Sequence, residues 1–175
     1  MPKITDMSAA ATVAHPTIVA SPQLDIAQTP TISAAAVYAA GDALGGLLTF
    51  ADAALAVGGS GAITKVVIID DDQELAPVDL VLFDRAFTPT ADNALFAPSD
   101  ADMQFCIGYV DVAATDYASF VDNSVAAKSS GLRMPFPYQL GAASSSLYGQ
   151  LVVRSTPTYT ATDDITVKIT VERYS

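Results

Sequence analysis

The chain has no tryptophan, one histidine (His15) and one cysteine (Cys106) among its 175 residues. Without tryptophan it lacks the flattest aromatic platform for a sugar ring, which weighs against carbohydrate binding. A single cysteine excludes an internal disulfide and suits a reducing compartment. Between Phe105 and Ile107, Cys106 reads as a buried small hydrophobe. Basic residues are also scarce, eight against nineteen acids for a net charge of −11, and they form no stripe. The expectation is therefore a chain that binds neither nucleic acid nor an anionic membrane. No window approaches the unbroken apolar run that spans a bilayer. The N-terminal "MPKITDMSAAATVAHPTIVA" lacks a dense apolar stretch of the secretory kind, so a cytosolic origin is expected.

What is present fits one domain with an arm. Apolar residues reach 51%, although alanine supplies much of that figure, so the core formers are fewer than it suggests. The charge is concentrated. Residues 70–122 hold twelve acids and one base, Arg85, while the rest of the chain balances at seven of each. The plain reading of this block is solubility; the sharper one is an outward-facing surface on a large assembly.

Residues 1–28 have few bulky apolar side chains, no period, and prolines at 2, 16 and 22, so they read as an extended arm. Residues 29–175 carry the signals of an all-β domain. Short strands are expected around Ile32 and around Val37 and Tyr38, followed by "LLTFAD" and the β-branched "AITKVVIID", in which Lys65 faces out or lies near an end. In "VDLVLFD", Val78, Leu80 and Leu82 alternate with Asp79, Val81 and Phe83, so both faces carry apolar weight. Such a strand belongs in the middle of a sheet with both faces covered. "APSDADMQ" is a short helix start, with Ser99 as cap and Asp102 three residues on. "FCIGYVDV" and "SLYGQLVVRS" return to strand, and the two prolines of "LRMPFPYQL" confine it to an edge or loop. "DITVKITVER" sets Ile165, Val167, Ile169 and Val171 against Thr166, Lys168, Thr170 and Glu172, a strand with one wet face. The sum is an antiparallel β-sandwich of eight or nine strands with one short helix, and the jelly roll is the leading topology.

Candidate chemistry is thin. "DDDQE" (Asp70, Asp71, Asp72, Gln73, Glu74) offers contiguous carboxylates and no glycine, so its side chains diverge where a Ca²⁺ loop needs convergence. With one histidine and one cysteine, transition-metal ligands are missing too. The stretch reads as a polar turn between two strands, closed by Pro77. No nucleophile elbow is present, "GGSGA" lacks strand-to-helix context, and its glycines lack the lysine of a phosphate loop. His15 lies in the arm, a poor place to hold a general base. A carboxylate pair for glycoside hydrolysis depends on spacing in space rather than in sequence. The expectation is no catalytic residue, no cofactor and no metal. The candidate partner-binding positions are the scattered apolar anchors of the arm, Ile4, Val13, Ile18, Val19 and Ile26, which could order on a partner.

The stretches "DLVLFDRAFTPTADNALFAPSDADMQFCIGYV" and "SLYGQLVVRSTPTYTATDDITVKITV" resemble small virion proteins of tailed bacteriophages and prophages. The likeness runs from about Thr29 to Tyr174, and the grouping it suggests is with capsid decoration, or cement, proteins. It implies a structural protein, not an enzyme, made in the bacterial cytoplasm and carried on the virion. Its partner would be the major capsid protein, often engaged by a homo-trimer that clamps neighbouring subunits. Two rivals remain: a tail- or baseplate-associated sandwich used for adhesion or carbohydrate binding, and a carbohydrate-active enzyme with a cryptic carboxylate pair.

Overall fold

A computed structural model of the chain describes residues 23–131 and 134–174. They contain ten strands: β1 (Gln23–Gln28), β2 (Ala43–Phe50), β3 (Ser60–Asp70), β4 (Val78–Phe83), β5 (Cys106–Val112), β6 (Tyr117–Ser119), β7 (Ser124–Lys128), β8 (Phe136–Gln139), β9 (Leu147–Val153) and β10 (Ile165–Tyr174). One sheet runs β1-β10-β3-β7-β6, with β8 also on β3; the other runs β2-β9-β4-β5. β7 and β8 pair with opposite ends of β3, at residues 66–70 and 60–63. The first four strands alternate between the sheets, β5 joins β4, β6 to β8 return to the larger sheet, and β9 and β10 split again. This antiparallel order is that of a jelly roll.

The hydrophobic alternation sets the layers. Ile165, Val167, Ile169 and Val171 of β10 are buried against Val66 and Ile68 of β3 and, across the sandwich, Leu44, Leu48, Leu147 and Leu151. β4 lies between β9 and β5, as its two apolar faces require. Leu80 and Leu82 enter the main core, each contributing roughly 1.5–3 kcal/mol by burial. Its other face, Val81 and Phe83, enters a second cluster with Phe87 and Val152. That cluster exists because residues 84–105 fold back over the outside of the four-stranded sheet. Phe83 stacks on Phe87 with centroids 3.8 Å apart, and the Arg85 guanidinium lies 4.0 Å from the Phe105 ring centroid. Cys106 packs here half-buried, at the edge of a covering layer rather than in the sandwich core. The helix α1 (Asp100–Met103) sits in this layer, and the Ser99 hydroxyl accepts the Asp102 amide as its cap.

The strand count exceeds the expected eight or nine for identifiable reasons. Residues 23–28, assigned from the sequence to the arm, form β1 and pair with β10 from Gln23–Glu172 to Gln28–Val167. β6 and β7, only three and five residues long, carry too little periodicity to stand out. The stretches around Ile32 and Val37 go the other way. They make only isolated bridges, Ala34 to Tyr159 and Val37 to Thr158, yet bury Ile32 and Tyr38.

Candidate functional site

The acidic stretch 70–74 is a turn, and nearly every side chain in it ties a different piece of chain. Asp70 ends β3 fully buried; its carboxylate accepts the amides of Asp72 at 3.1 Å and Leu75 at 2.8 Å and the Ser124 hydroxyl at 3.3 Å. Burial pushes its carboxyl above the ordinary aspartate range, and these three donors act against that push. Asp72 accepts the Thr160 amide and hydroxyl, and Glu74 accepts the Thr158 amide. Gln73 donates to the carbonyls of Phe120 and Asn123 at the β6–β7 tip. The loop that carries the chain from one sheet to the other therefore also fastens the β9–β10 loop and the β6–β7 hairpin. Among the described residues no group of three or more His, Cys, Asp or Glu side chains is placed to hold a metal ion.

The rest of the acidic block is used in a similar way. Asp92 accepts the Ser33 hydroxyl at 2.5 Å, the Tyr38 hydroxyl at 2.8 Å and the Gly45 amide at 2.6 Å. Gly45 has φ +74°, and a Cβ there would lie 2.4 Å from Pro30, so only glycine fits. Asp79 pairs with Arg154, and Asp84 with Arg85. The block is therefore not a continuous wet face; Asp71, Glu74, Asp100 and Asp122 are its exposed members without an ion pair among the described residues, and Glu74 holds the Thr158 amide.

Asp111 and Asp116 line a depression of about 380 Å³ with Lys128, Ser129, Ser130 and Met134. Lys128 stands 2.8 Å from Asp116 and 3.6 Å from Asp111. Its ammonium holds the Asp116 carboxyl below the usual carboxylate range, and Asp116 in turn raises the lysine. A glycosidase acid needs the opposite shift, a carboxyl kept protonated near neutrality. Asp70 has a raised pKa but is sealed from solvent, with its oxygens already engaged.

Two features were not singled out from the sequence. Gln150, the one polar side chain fully buried within β9, donates to the carbonyls of Gly45 and Thr90 and accepts the Thr90 amide. It fastens the covering segment to β2. A lone glutamine inside "LYGQLVV" was the available signal. The other is the outer face of the six-stranded sheet, which no segment covers among the described residues. It presents Asp25 and Ala27 of β1, Lys168 and Thr170 of β10, and Lys65 and Val67 of β3 around a depression of about 280 Å³.

The expected arm anchors fare unequally. Ile4, Val13, Ile18 and Val19, with His15, lie outside the described residues. Ile26 does not serve as a free anchor: it sits in β1 opposite Ile169 and packs partly buried against the main core. Pairing with β10 turns its side chain inward.

Compared with protein-family models, curated proteins and solved structures, the chain matches none.

Proposed function

We propose that the protein is a structural component of a phage virion that binds the outside of the capsid and stabilises neighbouring major capsid subunits, acting as a homo-trimer. The observation carrying this reading is the unequal treatment of the two outer sandwich faces. Residues 84–105 cover the outside of the four-stranded sheet and give it its own small core. No segment among the described residues covers the outside of the six-stranded sheet, which bears half-buried Val67, Ile69 and Val125. A β-branched apolar row on an uncovered sheet face suits contact with another protein. The described acids and amides engaged in the loops hold loops in place, a role that suits a rigid binding module.

The test is co-sedimentation of the purified protein with capsids that lack it, scored against tails from the same particles. Saturable binding to heads at a fixed number of copies supports the reading. Binding to tails alone would move the protein to the tail or baseplate, and binding to neither would end the virion reading.

A further inference from the structure

Every described arginine, and Lys128, has a partner. Arg85 pairs with Asp84, Lys128 with Asp111 and Asp116, Arg154 with Asp79, and Arg173 donates to the Asp52 carbonyl. Lys65 and Lys168 are exposed and make no hydrogen bond or ion pair among the described residues. Both lie on the outer face that no described segment covers, on adjacent strands. Thr170 is opposite Lys65 and Val67 opposite Lys168, which makes the two lysines diagonal neighbours. Asp25, which lines the same depression, is engaged by the Thr170 hydroxyl at 2.6 Å. Two like charges side by side repel, and a chain of net charge −11 places its only free described cations there. An approaching carboxylate beside an apolar group relieves the repulsion and covers Val67 and Ala27.

The molecule carries a surface of that chemistry elsewhere. At the β6–β7 tip, Phe120 is 59% exposed and Val121 is 91% exposed, and they are followed by exposed, unpaired Asp122. The tip is not loose. The Phe120 amide donates to the Asn123 carbonyl at 2.8 Å, and Gln73 donates to the carbonyls of both residues. It is a fixed projection with two apolar side chains and one acid, at the edge of the sheet whose face carries the lysines.

We propose that the chain self-associates by seating the Phe120–Val121–Asp122 tip of one copy on the Lys65–Val67–Lys168 face of the next. The two surfaces differ, so the contact is heterologous and each copy keeps one of each for further neighbours. Such contacts close into rings when the rotation allows, and a three-fold ring is one closure. The inference deepens the oligomer part of the proposed function and rests on that part alone.

The test is sedimentation velocity of the full chain without any capsid, at low salt and at high salt, for the wild type and two variants. All substituted side chains are exposed, and thermal melting checks that each variant folds. Self-association is expected at low salt and is weakened about tenfold or more by high salt, because the charges are solvent-facing. Lys65→Glu with Lys168→Glu, and Asp122→Lys alone, should each abolish it, and a mixture of these two proteins should associate again. A wild type that stays monomeric at high-micromolar concentration and low salt overturns the inference, as does association insensitive to salt or a mixture that fails to recover. A wild type that stays monomeric yet binds capsids would overturn this contact and leave the capsid reading standing; a wild type that self-associates through this contact but binds no capsid would do the reverse.

Discussion

The Tyr38 hydroxyl donates to the Asp92 carboxylate at 2.8 Å across 54 positions of sequence, and the same oxygen accepts the Ser33 amide at 2.8 Å. This link helps to join two connections without regular structure, the segment before β2 and the segment that covers the four-stranded sheet, beside the Ser33 hydroxyl on Asp92 and the Phe96 amide on the Gly41 carbonyl. Tyr38 is completely buried, and burial raises its phenol well above the ordinary range, so it remains a donor throughout the physiological pH range.

Removing this link tests whether the covering segment is held by polar contacts. Tyr38→Phe keeps the ring and leaves the Ser33 amide unpaired, at an expected cost of about 1–2 kcal/mol in urea unfolding. Asp92→Ala removes the acceptor for three donors and should cost about 3 kcal/mol or more. Near-equal, negligible losses would mean that the second hydrophobic cluster, Gln150 and the backbone bonds to residues 41–43 hold the segment without this link.

The position of β4 makes a separate claim about the core. Leu80→Ala or Leu82→Ala should destabilise by about 2–5 kcal/mol, because each side chain is wholly buried between two neighbouring strands. Ile26→Ala on the edge strand β1 is only partly buried and should cost clearly less. Reversal of that order in denaturant titration would contradict the layer assignment.

Lys128 and Asp116 supply a pH test. The folded pKa of Asp116 is lowered, so its contribution is present above the unfolded value near 3.9 and is lost as pH falls through the folded one. That of Lys128 is raised, so its contribution is present below the unfolded value near 10.4 and is lost as pH rises through the folded one. The stability difference between wild type and Lys128→Gln should therefore form a plateau, about 1 kcal/mol high or less given solvent screening, from roughly pH 4 to pH 10. Melting curves across pH that show a constant difference would remove the ion pair from the account.

The parts of the fold that were readable from sequence are those where one physical signal acts alone. The two-faced apolar pattern of 78–83 placed β4 centrally, the strict alternation of 165–172 gave β10 its wet and dry sides, and Ser99 with Asp102 marked the helix. The misses occur where tertiary partners override weak local signals. Leu24 and Ile26 alternate correctly for a strand, but Pro22 and Pro30 on either side mask a segment that only β10 makes into β1. Ile32 and Tyr38 are buried as expected of strand residues, but their amides are met singly by the carbonyls of Thr162 and Pro157, not by a continuous ladder. The surface with Lys65 and Lys168 was legible only in halves. Each lysine reads as outward-facing on its own strand, and the pairing of β3 with β10 is what brings them together.

The boundary of the N-terminal segment yields the last prediction, because β1 divides the expected arm into two physically different parts. Deleting residues 1–22 removes none of the described strands and should leave the melting temperature nearly unchanged. Deleting residues 1–28 takes β1 as well, which strips Leu24 and Ile26 from the core and exposes the whole edge of β10, including Ile169 and Val171. That protein should melt many degrees lower or aggregate, since a long uncovered edge strand is a template for pairing with other chains. Under the proposed function the shorter deletion has a second readout. If residues 1–22 carry anchors for the capsid, the truncated protein should keep its fold and co-sediment less with capsids than the full chain does. Equal co-sedimentation would assign attachment to the sandwich itself, and unfolding of the shorter deletion would show that Ile4, Val13, Ile18 or Val19 serve the domain rather than a partner.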